Sequence, residues 1–361
     1  MSNNQFLLYG ANGYSGELTA RYAAEYQVLP ILAGRREAAL SLLAAKYNYP
    51  YKTFDVNNTP ALEDALSNVK LVVNAAGPFD FTAKQIINAC LKTRTHYIDI
   101  NGDMAVFEML QSYDAAAKEA GIMIMSGVGF DVVPTDCLAL FLKKLLPDAV
   151  SLKLAFAMPG GGLSHGTATT TVLKLGEPGA ERKNGKIVPV PLGEKGMWVN
   201  FTNHTTKRSE KMFVMSLPWG DVFTAFLSTG IPNITSYTHV PPLVFRLLKL
   251  QRFFNPLLKK PFTRKLVQKI IDSRPPGLND AKREKSVSLV WGEVINSAGK
   301  KATATLTAPD AYTLTAYTTL LIANKILAGI FQPGYQTPAA VYGEDLIMEI
   351  SGVKREQILS S

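Results

Sequence analysis

The stretch Phe6-Leu-Leu-Tyr9-Gly10-Ala11-Asn12-Gly13-Tyr14-Ser15-Gly16 decides how the chain begins to fold. An apolar run leads straight into glycine, and from Tyr14 to Tyr26 small and apolar side chains recur with helical spacing. The order is therefore strand, tight turn, helix. Glycine lets a backbone turn tightly and be approached closely, and the first turn of the following helix offers N–H groups to negative charge. Glycines spaced by threes are a weak signal alone. Placed directly after a first strand and opening a helix, they point to a dinucleotide pyrophosphate.

The same alternation continues outward. Pro30–Ala33 reads as a strand, Arg36–Tyr47 as a helix, Tyr51–Phe54 as a strand and Ala61–Leu66 as a short helix. Leu71–Ala76 is nearly continuously apolar, as a strand buried on both faces should be. Next come a helix over Thr82–Lys92, a strand over His96–Ile100, a helix from Asp103 or Met104 to Glu119 stopped by Gly121, and a strand over Ile122–Met125. Strands alternating with helices predict α/β architecture: an N-terminal Rossmann doubly wound parallel sheet over residues 1–133, in the order 3-2-1-4-5-6.

At the end of the second strand a reader of NAD would place Asp or Glu against the ribose 2′-hydroxyl, but this chain has Gly34-Arg35-Arg36. Two guanidinium groups suit a 2′-phosphate, so NADP is the expected cofactor. Arg36 has a second reading, as the start of a solvated helix. Asp55, after the third strand, either reaches the adenine edge or caps the next helix. Asn74-Ala75-Ala76-Gly77-Pro78-Phe79 closes the fourth strand where the nicotinamide half should lie, and its small residues leave room for it.

Composition sets the frame. The 361 residues are 47% hydrophobic and 19% charged, as in an ordinary folded globule, and the length favours two domains. No basic-then-apolar leader opens the chain and no run of apolar residues is long enough to span a bilayer, so a cytoplasmic location is expected. Two cysteines, Cys90 and Cys137, offer neither a disulfide framework nor zinc spacing, and no metal is expected. The net charge of +9 sits in one segment, since residues 240–285 hold twelve Lys/Arg against three Asp/Glu. Charge so localised argues against a nucleic-acid partner.

After the sixth strand comes Gly127-Val-Gly129-Phe130-Asp131-Val-Val-Pro134-Thr-Asp136. With His96-Tyr97-Ile-Asp99-Ile-Asn-Gly102, the glycine turn and Asn74–Phe79, it resembles the saccharopine dehydrogenase-like oxidoreductases, which include the trans-acting enoyl reductases. Trp219–Asn233 and Pro338–Gly343 are similar to that family's later segments. The resemblance implies an NADP-binding Rossmann domain followed by a mixed α/β domain carrying the substrate surface. It implies a reductase without naming the substrate.

Hydride transfer needs a proton donor for the atom left negative. No Tyr is followed four positions later by Lys, which disfavours the short-chain dehydrogenase pair, and Cys137 reads as a small buried apolar residue. Asp131 and Asp136 follow the last Rossmann strand, at the edge that should overlook the nicotinamide. Asp131 is the candidate for substrate contact, and Asp136 reads equally as a helix cap. His165, in a glycine-rich loop, is a second candidate donor near neutral pH.

From residue 134 to 335 a second, mixed α/β domain is expected, with strands at Ser151–Met158 and Phe213–Leu217, and a hairpin of Val287–Val294 with Ala302–Thr307 through Asn296–Gly299. A helix over Ala311–Ile330 follows, and residues 336–361 are expected to pack back on the cofactor domain. Residues 240–271 interleave Leu243, Phe245, Leu250, Phe253 and Phe254 with Arg246, Lys249, Arg252, Lys259 and Lys260. Three readings stay open: a helical hairpin with solvated cations, a peripheral membrane contact, or the wall of an acyl-chain tunnel. The leading expectation is an NADPH-dependent reductase of an apolar or lipid-like carbonyl or enoyl substrate, with room for a homodimer. The alternatives are a saccharopine-type amino-acid reductase and a non-catalytic nucleotide-binding regulator.

Overall fold

Strands buried on both faces carry mostly apolar side chains, and such runs make β1 (Gln5–Tyr9), β2 (Leu29–Gly34), β4 (Leu71–Asn74), β5 (His96–Asp99) and β6 (Met123–Met125), while β3 (Tyr51–Thr53) is a short, largely exposed edge strand. The computed structural model describes residues 4–162, 164–173, 176–246, 249, 260–273 and 277–358. The chain continues through β7 (Ala149–Ala157), β8 (Gly179–Lys183), β9 (Lys186–Val190), β10 (Gly196–Asn203), β11 (Arg208–Ser216), β12 (Asn233–His239), β13 (Val287–Asn296) and β14 (Lys301–Pro309). It ends with β15 (Gly334–Gln336) and β16 (Lys354–Ile358).

The first sheet runs β15-β6-β5-β4-β1-β2-β3, and its pairings are all parallel. This is the expected 3-2-1-4-5-6 order with one strand added at the edge. Phe6, Leu7 and Leu8 of β1 and Leu71, Val72 and Val73 of β4 are fully buried at its centre. The order reverses between β1 and β4, so the crevice where dinucleotides bind opens at the carboxyl ends of these two strands.

The single helix expected over Asp103–Glu119 is two, Met104–Gln111 and Asp114–Ala120. The break puts Asp114 in the first turn of the second helix, where its carboxylate accepts from Tyr335 N at 2.9 Å and holds β15. At Gly334 φ is +98° and a Cβ would come within 2.5 Å of Asp114 Oδ1, so glycine fits there where other residues would not.

The chain divides into two compact units: residues 1–133 with 312–341, and residues 134–311 with 342–361. This corrects the expected map of 134–335 and 336–361 in two respects. The helix Ala311–Leu327 was expected in the second domain, but it packs on the first unit, where Tyr312 meets Tyr14 and Tyr317 meets Tyr22 edge-on, both at 5.0 Å. Asn324 Nδ2 adds a bond to Tyr26 O at 2.8 Å, and β15 then extends the first sheet. Of the closing residues, 336–341 stay with the first unit, whereas 342–361 belong to the second, where β16 pairs antiparallel with β14.

The second unit is built on a mixed sheet, β10-β11-β12-β7-β13-β14-β16, with the β8–β9 hairpin attached at β12. The hairpin expected through Asn296–Gly299 is present as β13–β14. Ala155, Val199, Phe201, Met212, Val214, Tyr237 and Leu289 pack as one apolar cluster against this sheet.

Candidate cofactor and active site

The turn after β1 is shaped by what cannot fit in it. Gly10 has φ +87°, and a Cβ there would sit 2.7 Å from the backbone of Ala75 and Ala76. A Cβ on Gly16 would lie 2.3 Å from Gly10 O. The turn therefore closes on the end of β4 and on its own helix only because both residues are glycine. Gly10 N and Ala11 N donate to Ala33 O, at 2.8 and 3.2 Å, fixing the turn to the end of β2. Gly13 caps the helix Tyr14–Tyr22, whose first internal bond is Glu17 N to Gly13 O. The first-turn N–H groups of Ser15 and Gly16 lie ahead of that bond, which is the arrangement that receives a phosphate.

Across the turn, Gly34 ends β2 with Asn12 against it. With the Asn12 amide oxygen turned to Arg36, the guanidinium donates to it from Nη2 at 2.7 Å and Nε at 3.1 Å. Arg36 is thus tied to the glycine turn. Arg35 is exposed and stands 3.9 Å from Asp55. Asp55 accepts from Asn57 N at 2.8 Å, while the helix Thr59–Ser67 is capped by Asn58, which removes the capping reading of Asp55. Two glycines in places a Cβ would fill and two cations at the end of β2 fit a phosphorylated dinucleotide.

Toward the other end of the crevice lies a buried polar network that sequence reasoning missed. Asn74 donates to Thr82 Oγ1 at 3.1 Å and to Tyr97 Oη at 3.2 Å, and accepts from Ala76 N at 3.1 Å. Tyr97 donates to Asp99 Oδ2 at 2.8 Å. The other oxygen of Asp99 accepts from Ser126 Oγ at 2.7 Å and from Asn101 N and Gly127 N at 3.0 Å each. Burial raises the Asp99 carboxyl, and these four bonds work against that rise. A signal was present. In Asp99-Ile-Asn101-Gly-Asp103-Met-Ala105, each acidic or amide side chain accepts the N–H two residues on, which is the Asx-turn pattern.

That loop carries Gly102, where a Cβ would come 2.6 Å from Asp131 Oδ2. Asp131 has no hydrogen-bond partner among the described residues, and burial pushes its carboxyl up to about 7 although it keeps some exposure. Its loop is clamped from the returning helix: Phe130 N donates to Thr315 Oγ1 at 3.0 Å, and Thr318 Oγ1 donates to Val128 O at 2.7 Å. Gly129 admits this helix, since a Cβ there would lie 2.8 Å from Thr315 Cγ2. A carboxyl raised to about 7 at the carboxyl edge of the sheet, with no hydrogen-bond partner among the described residues, can both hold and give up a proton near neutral pH.

The remaining candidates lie elsewhere. His165 opens the helix His165–Leu173 in the second unit instead of sitting in a loop, and its Nε2 pairs with Asp272 Oδ1 at 2.9 Å. Asp136 is buried in the first turn of the helix Val133–Leu145, and Cys90 and Cys137 are free and buried. Ala75, Ala76, Gly77 and Pro78 follow β4 directly, with the first two against Gly10. Among the described residues, no helix is long and apolar enough to cross a membrane.

Residues 6–125 match the saccharopine dehydrogenase NADP binding domain family. A mouse saccharopine dehydrogenase-like oxidoreductase is 27% identical over 214 residues, 52% of this chain and 50% of the relative. A trans-acting enoyl reductase of Mycobacterium ulcerans is 28% identical over 140 residues, 37% of this chain and 34% of that protein. The chain thus spans about half the length of the mouse relative and about a third of that of the mycobacterial one. The solved structure of the L-Glu-forming saccharopine dehydrogenase of Saccharomyces cerevisiae aligns with 98% of this chain and 100% of its own, at a TM-score of 0.67 and 14% identity, a likeness of fold.

Proposed function

From the premise that residues 6–125 are a saccharopine dehydrogenase-type NADP-binding domain, we propose that the chain is an NADPH-dependent reductase in which Asp131 delivers the proton. The cofactor, when bound, supplies a hydride. The turn Gly10–Gly16 holds the pyrophosphate, Arg35 and Arg36 hold the 2′-phosphate, and the small residues Ala75–Pro78 leave space beside β4. Asp131 keeps its proton below about pH 7 and passes it from the carboxyl beside Gly102 to the substrate atom that becomes negative. The network around Asp99 keeps the Gly102 loop in place.

The observation that carries this reading is the uncompensated Asp131 carboxyl at the sheet edge that also bears the glycine turn. The preferred substrate is an apolar carbonyl or enoyl compound. Support comes from the flanking Val128, Phe130, Val132 and Val133, all buried and apolar, and from the activity named for the mycobacterial relative. An amino-acid substrate is the second reading and draws only on the fold shared with the yeast enzyme.

Two measurements test the proposal. Fluorescence titration should give NADPH an affinity at least about tenfold above NADH. Apolar enals or enones should then drive NADPH oxidation at a rate that falls as pH rises through about 7. Failure to bind NADPH removes the premise, and binding without turnover on either substrate class leaves a nucleotide-binding regulator.

A further inference from the structure

The reductase reading gives no role to the helix Pro261–Asp272. Its inner side is accounted for within the second unit. Gln268 Nε2 donates to Thr169 Oγ1 at 3.0 Å, Arg264 reaches Glu177 at 3.5 Å, Asp272 takes His165, and Ile271 is buried. These contacts seat the helix on His165–Leu173 and its flank. On the other side, Phe262, Leu266 and Ile270 recur every four residues and are 75%, 52% and 51% exposed. At about 100° per residue they fall within an arc of about 80°. Lys265 and Lys269, both exposed, border that stripe, and Lys260 stands at the helix start.

A surface helix normally turns polar groups outward, so three large apolar side chains in a row need an apolar neighbour. We propose that this side of the helix lies on an anionic phospholipid surface. The three apolar side chains enter the acyl boundary, and Lys260, Lys265 and Lys269 meet the acidic headgroups. Charge selects this occupant. Residues 240–271 contain eight Lys/Arg and no Asp/Glu, and the acid at the helix end, Asp272, is engaged by His165 and Gln268. A second copy meeting the same patch about a two-fold axis would set lysines against lysines, whereas an acidic lipid layer complements them. Among the described residues, Leu243 in the same basic segment is 66% exposed, a further apolar group beside cations.

The test is co-sedimentation of the full chain with phosphatidylcholine vesicles, with and without phosphatidylserine, at low and high salt. The expected result is binding that needs phosphatidylserine and is lost at high salt. Replacing Phe262, Leu266 and Ile270 together by Ser should weaken it by more than about tenfold, and Lys265→Glu with Lys269→Glu by about tenfold or more. Both variants should keep the thermal melt and the NADPH affinity of the parent, because the changed side chains face solvent. The proposal is overturned if the parent chain ignores phosphatidylserine vesicles at low salt, or if the variants partition like the parent. It is equally overturned if the parent is a dimer that the Ser variant makes monomeric.

Discussion

Asp99 and Asp131 are two carboxyls on one edge of one sheet, and they are treated in opposite ways. Asp99 is fully buried and accepts four hydrogen bonds from Tyr97, Asn101, Ser126 and Gly127. Asp131 keeps some exposure, has no bond among the described residues, and is raised to about 7. Burial lifts both groups, so burial alone does not mark function. The bonds make the difference: satisfied, a carboxylate ties strands together; unsatisfied, it holds a proton it can release near neutral pH.

The largest expected effect probes the unsatisfied member. Asp131→Asn should lower kcat by about 10²–10⁴-fold, flatten the pH dependence near 7, and leave NADPH affinity within about twofold. A parallel loss of NADPH binding in the same titration would make Asp131 a binding group and blur the contrast. Next, Asp99→Ala should cost about 3–5 kcal/mol in denaturant unfolding, because Tyr97 and Ser126 are left with buried donors, and Asp99→Asn should recover part of it. A cost below about 1 kcal/mol would show that the network is not structural.

The nucleotide end supplies a control independent of both acids. Arg35→Ala combined with Arg36→Ala should weaken NADPH by about 10–100-fold and NADH little, as seen by fluorescence titration, with kcat at saturation retained. Unchanged discrimination would mean that the cations at β2 do not read the 2′-phosphate.

The smallest effect is on stability against pH. A carboxyl raised in the folded state contributes stability that is whole below its unfolded value and is lost as pH rises through its folded value, here from about 4 to about 7. Asn does not titrate, so Asp131→Asn should match the parent near pH 4 and exceed it by about 1–2 kcal/mol above pH 7. Denaturant midpoints across that range check the sign, and a variant less stable than the parent at pH 8 would refute an uncompensated charge at this position.

Much of the first sheet was legible because parallel strands write themselves as apolar runs: Phe6-Leu-Leu and Leu71-Val-Val are unmistakable. β15 was not, since Gly334-Tyr-Gln336 is three residues whose strand exists only by pairing with Met123–Met125, far back in the chain. In the second unit, β8, β9, β10, β12 and β16 escaped notice, because burial and polarity do not run together in them: β8 buries Glu181 and Arg182, β12 buries Ser236, β9 leaves its apolar residues partly exposed, and β16 is almost wholly exposed. The glycine turn was readable from local order. The role of Asp99 was not, since it depends on Ser126 and Gly127 arriving from the next strand. The basic segment was visible as charge, but only the fold distinguishes the side of Pro261–Asp272 that packs from the side that does not.

The clamp on the Asp131 loop has a consequence for biosynthesis. Thr315 and Thr318 are made 185 and 190 positions after the groups they bind. A ribosome that has finished residue 133 has delivered every strand of the nucleotide cradle except the edge strand, and Asp99, which ties down the start of the acid-bearing loop, but not the helix that clamps it at Val128 and Phe130. All of β7 to β14 must emerge first. If Asp131 has the role proposed for it, the strands of the nucleotide cradle are thus synthesised well before the helix that clamps the proton-delivering loop.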